Sequence, residues 1–233
     1  MITKSKMIAE PEALEIDLGR SAVIVVDMQN AFVSKGGMFE ARGFDIVSIH
    51  RVIEPIRIIC DKAREKKVKV IYIAHVLSSD LREVGPESSF WYKSVRAYQE
   101  DPKWKDKYLI RGTWGSEIVD LLKPKKGDLL IEKPRFSAFF GTNLDTILKT
   151  YNLKYLFFTG CATNICVEAS MRDAANLSYF PVLISDATVN NGPAYMQDGT
   201  IHNVKVAFGW VASTESLLKA MEHQSCPAFE AVS

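Results

Sequence analysis

The residue with the clearest chemical potential is Cys166, which lies in the stretch TGCATNICVEASMRDA at positions 159–174. Here an apolar run ends in a glycine-containing turn, and a helix is predicted to begin near Thr163, which suits the N-cap position. A sulfur in the first helical turn faces unpaired backbone N–H groups and the positive end of the helix dipole. Such surroundings lower the pKa of a thiol and favour a nucleophilic thiolate. The alternative is a small buried helix residue, since free cysteine is among the most buried residue types.

Two ionisable side chains stand at the ends of other apolar runs. Asp27 closes SAVIVVD, where partial desolvation tends to raise a carboxyl pKa and suits proton exchange with a thiol. Lys133 follows LLIE, and its charge there can be held against Asp27 or a thiolate. Each has a simpler interpretation, because aspartate often forms turns and a lysine at a strand end is often solvated. Three such residues at three strand ends are harder to attribute to chance than any one alone.

These runs belong to an alternating pattern of strands and helices. Strands are predicted at 21–27, 68–76, 128–132, 155–159, 181–185 and 206–211. Helices are predicted at 47–66 (with a bend or interruption at Pro55), 115–122, 143–150, 163–177, 193–204 and 214–223. The pattern indicates an α/β fold, a single-domain Rossmann-like three-layer sandwich with a six-stranded, mainly parallel sheet. The domain is expected to span 1–233, with its core at about 20–222. Ligands of such sheets bind outside the carboxyl ends of the strands, where the three candidates fall.

The segment at about 78–111 differs from this pattern. It begins with serines, a glycine and a proline and continues with the aromatic cluster Phe90-Trp91-Tyr92. A loop of this length in a compact domain is usually functional or disordered, and the aromatic cluster argues against disorder. We expect a lid or a subunit contact, with plain surface packing as the alternative.

Composition narrows the class of protein. The 233 residues carry a formal net charge of +1 and are 47% hydrophobic, which gives no sign of a nucleic-acid or membrane partner. No apolar run approaches the ~20 residues that span a bilayer, and no signal peptide is recognised. The four cysteines, at 60, 161, 166 and 226, are spaced neither as a zinc site nor as a disulfide framework. A cytoplasmic protein with reduced thiols is expected.

Three stretches together resemble a known family. VVDMQNAF at 25–32, EKPRFSAFFGTNLD at 132–145 and the cysteine stretch at 159–174 are similar to the signatures of the isochorismatase-like cysteine hydrolases. The resemblance runs from about residue 21 to 221 in the expected order. It implies the isochorismatase-like hydrolase fold and a catalytic triad of Asp27, Lys133 and Cys166 that hydrolyses amide or ureido bonds. It also implies a cis peptide between Cys161 and Ala162, which turns the N–H groups of Ala162 and Cys166 toward a substrate oxygen as an oxyanion hole.

The branches of this family differ in ways that the sequence can address. True isochorismatases lack the cysteine, so Cys166 argues against that branch. Nicotinamidases carry a metal site with paired histidines after the second strand, whereas this chain has only His75 there. A lone histidine is more often a core or pocket residue than a ligand, so we expect neither a metal nor any other cofactor.

The branch that this chain most resembles hydrolyses ureidoacrylate. The likeness extends over the long segment, the EKPRFSAFFGT and ATNICVE stretches and the late FGWV. It implies a small carbamoylated amine with a carboxylate as substrate, cleaved through a covalent thioester, and a homodimer or homotetramer. The alternatives are another amidase of the family, of the N-carbamoylsarcosine, biuret or triuret type, or a catalytically silent scaffold of the same fold.

Several residues are candidates for substrate binding. This chain departs from the ureidoacrylate branch at His75, Leu77 and Phe136, where that branch carries an amide, Trp and Tyr. Glu83 is expected to accept hydrogen bonds from a ureido NH2 group, and Arg135 has the planar fork that suits a carboxylate. Surface ion pairing is the alternative for both of these residues. The full candidate set, in which the aromatic members are equally explicable as core residues, is Phe32, His75, Glu83, Trp91, Arg135 and Phe136.

Overall fold

A computed structural model describes residues 4–222 of the chain. Its central sheet has six strands in the order β5-β4-β3-β6-β7-β8, and every neighbouring pair is parallel. A separate antiparallel hairpin, absent from the sequence-based prediction, precedes it. The strands are β1 Lys4–Met7, β2 Leu14–Asp17, β3 Ser21–Val26, β4 Lys69–His75, β5 Leu129–Lys133, β6 Tyr155–Cys161, β7 Phe180–Val189 and β8 Trp210–Ala212. The predicted α/β fold with a six-stranded parallel sheet is confirmed.

The sheet forms because its central strands are β-branched and apolar on both faces. Every residue of β3 is buried, as expected for a parallel strand covered by helices on each side. Alternate residues of β3 belong to two separate cores: Val23 and Val25 to one, Ile24 and Val26 to the other. This period of two divides the molecule into three layers.

The helices cover the two faces. The bounds within residues 4–222 are α1 Asn30–Val33, α2 Met38–Ala41, α3 Ile46–His50, α4 Ile53–Glu65, α5 Phe90–Glu100, α6 Leu144–Thr150, α7 Glu168–Asn176, α8 Ala194–Asn203 and α9 Thr214–Glu222. Helices α4 and α9 pack on the core that contains Val25, and α6 and α7 on the core that contains Ile24. No helix in residues 4–222 has the length and apolarity to cross a bilayer.

Several predicted elements have different bounds in the structure. The helix at 47–66 is divided into α3 and α4, and Pro55 lies in the first turn of α4, where its missing N–H costs no hydrogen bond. The helix at 115–122 is instead two 3₁₀ turns, Trp114–Ser116 and Asp120–Leu122. The predicted end of the last helix at position 223 lies outside the described residues.

The predicted strand at 206–211 is largely wrong. Residues Val204–Phe208 continue α8 as a π-helical turn, and β8 begins only at Trp210. The valine-rich sequence suggested a strand, but Val206 is 65% exposed on the outside of the turn. Tertiary context therefore overrides β-propensity here.

The segment at 78–111 is an ordered part of the domain and contains α5. Its two ends are tied together next to β4, because the Leu77 N–H donates to Leu109 O at 2.9 Å and the Arg111 N–H donates to Leu77 O at 2.9 Å. Val95 and Trp104 are buried within it. The segment leaves and rejoins the sheet at one place and covers the carboxyl edge of the strands.

Candidate active site

Asp27 follows the last residue of β3 and turns the chain out of the sheet. Its φ is 52°, in the left-handed region that aspartate tolerates better than most residues. The predicted strand at 21–27 therefore ends one residue earlier, at Val26. The Asp27 N–H still donates to Ile73 O at 2.8 Å, which fixes this residue against β4. Such a conformation is common where a side chain must be aimed at a site.

Lys133 and Asp27 form a buried ion pair. The Lys133 Nζ lies 2.8 Å from Asp27 Oδ2, and the side chains are 0% and 1% exposed. Lys133 Nζ also donates to Arg135 O at 3.0 Å. Charges taken this far from water persist only with a partner. The pair is therefore part of the folded structure as well as of the site.

Burial and mutual attraction set the protonation of this pair. Burial raises the pKa of Asp27, and the nearby Lys133 charge opposes that rise without cancelling it. In Lys133 burial acts to lower the pKa, but attraction to Asp27 and Cys166 outweighs it, so the pKa is raised. Lys133 is thus a fixed cation. Asp27 is a carboxylate with more than ordinary affinity for a proton, which suits a general base.

Cys166 lies beside this pair on the π-helical turn Thr163–Val167, which leads directly into α7. Short π-helical turns are frequent at functional sites. The predicted N-cap role of Thr163 is wrong: Ala162 occupies that position, and the Thr163 Oγ1 is buried without a hydrogen-bond partner in the described chain.

The expected lowering of the Cys166 pKa is also wrong. Burial raises the pKa of the Cys166 thiol, the Asp27 carboxylate raises it further, and the Lys133 charge offsets only part of this rise. Desolvation raises the pKa of a thiol at this depth by more than the N-terminus of a single helical turn can lower it. The raised pKa therefore favours the thiol form of Cys166 at neutral pH.

Gly160 allows β6 to deliver this turn to the end of β3. Its φ is +102°, and a Cβ at this position would lie 2.1 Å from Val26 O. The register between β6 and β7 shifts at the same place. Cys161 then donates from Sγ to Asp27 O at 3.3 Å. The cis peptide expected between Cys161 and Ala162 is confirmed, while the oxyanion hole formed by the N–H groups of Ala162 and Cys166 stays a prediction.

Asp27 and Cys166 line a cavity of about 420 Å³ with an aromatic wall. Trp91 stacks on His75 with ring centroids 5.5 Å apart, and Phe136 lies 4.9 Å from Trp91 and 6.2 Å from His75. Phe32 lines the same cavity and packs edge-on against Phe39 at 4.8 Å. The structure therefore brings the four predicted aromatic and imidazole candidates together around Asp27 and Cys166.

His75 presents a hydrogen-bond acceptor to this cavity. Burial lowers its pKa well below the usual value, and the interaction of the ring with the Pro134 backbone opposes this shift without cancelling it. Its Nε2 is buried and has no partner among the described residues. A neutral imidazole that donates through Nδ1 has a free lone pair on Nε2. Nε2 is therefore an acceptor that a ligand N–H group can satisfy.

Gln29, which the sequence reasoning missed, holds His75 in place. Its Nε2 donates to His75 O at 2.9 Å, and the His75 N–H donates to Gln29 Oε1 at 2.7 Å. Gln29 is fully buried, and its amide two residues after Asp27, at the end of the apolar run of β3, was the signal that could have indicated it.

His75 also has closer polar neighbours than the sequence suggested. Asp27, His75 and Cys166 each place one potential ligand atom within 4.8 Å of the other two. The sequence reasoning looked only for a second histidine and did not consider this cluster; the absence of a metal stays a prediction. Lys133 supplies at this place the positive charge that balances Asp27.

Glu83 and Arg135 do not line the cavity. Both carboxylate oxygens of Glu83 accept hydrogen bonds from Ser78, one from its N–H and one from its hydroxyl. The Arg135 guanidinium donates to Pro134 O at 3.1 Å and interacts electrostatically with Glu83. Arg135 contributes to the triad through its carbonyl, which accepts from Lys133. Arg42 does line the cavity, and the sequence reasoning missed it.

A carboxylate base, a buried ammonium and a thiol at the carboxyl edge of a parallel sheet define a cysteine hydrolase of the α/β class. Residues 21–216 match the family model described as the isochorismatase domain. The chain therefore belongs to the isochorismatase family.

Relatives named as amidohydrolases are similar over nearly the whole chain. The ureidoacrylate amidohydrolase RutB of Agrobacterium fabrum is 42% identical over 208 residues, which cover 88% of this chain and 91% of the relative. The protein of the same name from Cronobacter sakazakii is 40% identical over 220 residues, covering 93% and 95%. Among solved structures, a cysteine hydrolase from Pseudomonas syringae pv. phaseolicola has a TM-score of 0.76 at 27% identity, covering 89% of this chain and 94% of the other.

Proposed function

We propose that this protein is an amidohydrolase that cleaves ureidoacrylate, or a close ureido acid, at the bond between the carbamoyl carbon and the substituted nitrogen. The observation that carries the proposal is the buried Lys133–Asp27 pair, which lies beside Cys166 at the base of an aromatic cavity. The two ureidoacrylate amidohydrolases, at 40% identity or more over most of both chains, support this substrate class.

The first step is proton transfer from Cys166 to Asp27. The raised pKa of Asp27 makes it a sufficient base, and Lys133 stabilises the thiolate that forms. The thiolate attacks the carbamoyl carbon, and the C=O electron pair moves to oxygen. The N–H groups of Ala162 and Cys166 are assigned to this oxyanion; loss of one such donor costs about 3 kcal/mol in hydrolases.

Collapse of this intermediate releases the amine. Asp27 returns its proton to the departing nitrogen as the C–N bond breaks, which leaves a carbamoyl thioester on Cys166. Water then attacks the thioester carbon with Asp27 again as base. The C–S bond breaks, carbamate departs, and Cys166 is restored as a thiol.

Recognition of the ureido group is assigned to the cavity wall. His75 Nε2 is a buried acceptor without a partner in the described chain, so it can accept one ureido N–H. Trp91 and Phe136 offer flat faces to a planar conjugated substrate. The cavity wall therefore offers a hydrogen-bond acceptor to the polar part of the substrate and aromatic surface to its apolar part.

The test is a panel of ureidoacrylate, N-carbamoylsarcosine, biuret and triuret, with released ammonia and carbamate as the readout. We expect the highest kcat/KM for ureidoacrylate. A preference for another compound would change the substrate and keep the mechanism, whereas inactivity toward all four would contradict the proposed function and favour a silent scaffold.

The thiol chemistry also supports a reducing compartment. Cys60, Cys161 and Cys166 are free thiols, and a thiol nucleophile persists where disulfides do not form. We therefore assign the enzyme to the cytoplasm. The family resemblance supports a homodimer or homotetramer, and light scattering checks this oligomeric state.

A further inference from the structure

The cavity that contains Cys166 has an unusual charge distribution. Of the described side chains that line it, Arg42 is the only one with a fixed positive charge. His75 is neutral, since burial lowers its pKa, and Lys133 lies behind the wall in its pair with Asp27. Arg42 is therefore the side chain of this largely aromatic cavity that can neutralise the charge of an anionic ligand.

The guanidinium of Arg42 is held in position by aromatic rings. Its Cζ lies 5.3 Å from the ring centroid of Phe44 and 5.3 Å from that of Tyr98. Tyr98 is in turn fixed by stacking on Tyr108 at 5.1 Å and by edge contact with Trp104 at 5.3 Å. Contact with ring faces restrains a guanidinium and leaves its N–H groups available in the plane of the fork.

Arg42 also lacks an anionic partner of its own. No carboxylate of residues 4–222 forms an ion pair with it, in contrast to Arg57, Arg82, Arg96 and Arg172. An exposed arginine often serves only solubility. Here the same arginine lines the cavity of the nucleophile, is stacked on two rings and has an unused fork.

We propose that Arg42 binds the carboxylate of the substrate and so selects small ureido acids over neutral ureido compounds. This inference rests on the proposed function, because it assumes that the ureido group lies at Cys166. A guanidinium and a carboxylate pair through two parallel hydrogen bonds, which fix orientation as well as charge. Arg42 thus takes the carboxylate-binding role that the sequence suggested for Arg135. Helix α5 supports this role because it carries Tyr98, whose ring contacts the Arg42 guanidinium.

The test compares an acid with its neutral ester in two variants. Arg42→Gln is expected to raise KM for ureidoacrylate about 10- to 100-fold, as for loss of a hydrogen-bonded charge pair, with kcat little changed. For the methyl ester, KM should be the same in Arg42→Gln and in the wild type. Arg42→Lys should restore part of the affinity for the acid, since it keeps the charge and loses the fork.

Arg172→Gln is the matched control. Arg172 is also exposed and stacked on a ring, 4.1 Å above Phe208, but it is paired with Glu168 and does not line the cavity. It should leave both substrates unaffected. Equal losses on acid and ester in Arg42→Gln, or an unchanged KM for the acid, would overturn the inference.

Calorimetry separates this inference from the proposed function. The Cys166→Ser enzyme is titrated with 3-ureidopropionate, a stable ureido acid, and with its methyl ester, with and without Arg42→Gln. Binding of the acid that depends on Arg42, without turnover of any ureido compound by the wild type, contradicts the proposed function alone. Turnover of ureidoacrylate with binding that does not depend on Arg42 contradicts this inference alone.

Discussion

The Nζ of Lys133 lies 2.8 Å from Oδ2 of Asp27, and neither side chain has appreciable contact with solvent. The two residues come from the ends of β5 and β3, which are separated in the sheet by β4. A single ion pair thus joins two strands that do not hydrogen-bond to each other, above the end of the strand between them.

Loss of Lys133 alone should destabilise the fold. Lys133→Met leaves the Asp27 carboxylate buried without its partner, which costs about 3–5 kcal/mol of unfolding free energy. Asp27→Asn combined with Lys133→Met should cost less than the sum of the single changes, because neither charge is then stranded. Urea denaturation of the three variants measures this coupling, and strictly additive losses would contradict it.

The pH dependence of kcat/KM should have an acid limb set by Asp27. Burial raises the Asp27 pKa, so activity should fall on acidification at a pH above the ordinary carboxyl value of about 4. For stability the sign is opposite: a folded-state pKa above the unfolded one stabilises the fold at low pH, and this contribution is lost as pH rises through the folded value. A kcat/KM profile that stays flat down to pH ~4 would contradict the role of Asp27 as base.

Cys166→Ser should keep the fold and lose turnover by at least about a thousandfold, as for other covalent catalytic residues. The hydroxyl is close in size to the thiol but a far weaker nucleophile at neutral pH. Circular dichroism checks the fold and ammonia release checks turnover. Cys60→Ala, which removes a buried thiol outside the cavity, is the control that should retain activity.

The thiol of Cys166 should react slowly with iodoacetamide at neutral pH in the free enzyme and faster as pH rises, because burial raises its pKa. Peptide mapping of the alkylated residue against pH measures this. Rapid alkylation of Cys166 at pH 7 would show instead that a thiolate is already present at rest.

Chelation should leave activity unchanged, since Lys133 provides the positive charge beside Asp27 that a metal ion would otherwise supply. Dialysis against EDTA followed by assay of kcat/KM is the measurement. Activity that is lost on dialysis and restored by Zn²⁺ would show that Asp27, His75 and Cys166 hold a metal in the working enzyme.

The sequence was sufficient for the parts of the molecule that local patterns specify. β3 could be predicted because five consecutive apolar residues, Ala22–Val26, are typical of a strand buried on both faces. Asp27, Lys133 and Cys166 could be brought to one edge because parallel strands share a carboxyl end.

The remainder depended on three-dimensional surroundings. The sign of the Cys166 pKa shift is set by burial and by neighbouring charges from other strands, which a helix-start pattern does not contain. Arg42 belongs to no motif or periodic pattern, whereas Arg135 lies in the EKPRFSAFFGT stretch and has the guanidinium fork that suits a carboxylate. Residues 204–208 have the composition of a strand, but they continue a helix on the surface.

The two ends of the 78–111 segment are hydrogen-bonded together, so changes inside the segment are separated from changes in the sheet. The hydrogen bonds between Leu77 and its partners Leu109 and Arg111 fix where the segment leaves and returns. Substitutions, and even changes of length, inside it can therefore accumulate without disturbing the strand register that carries the triad, because longer closed loops cost little extra entropy. During evolution, changes in this segment can therefore alter substrate preference, while the residues that carry out the reaction keep their places on the sheet.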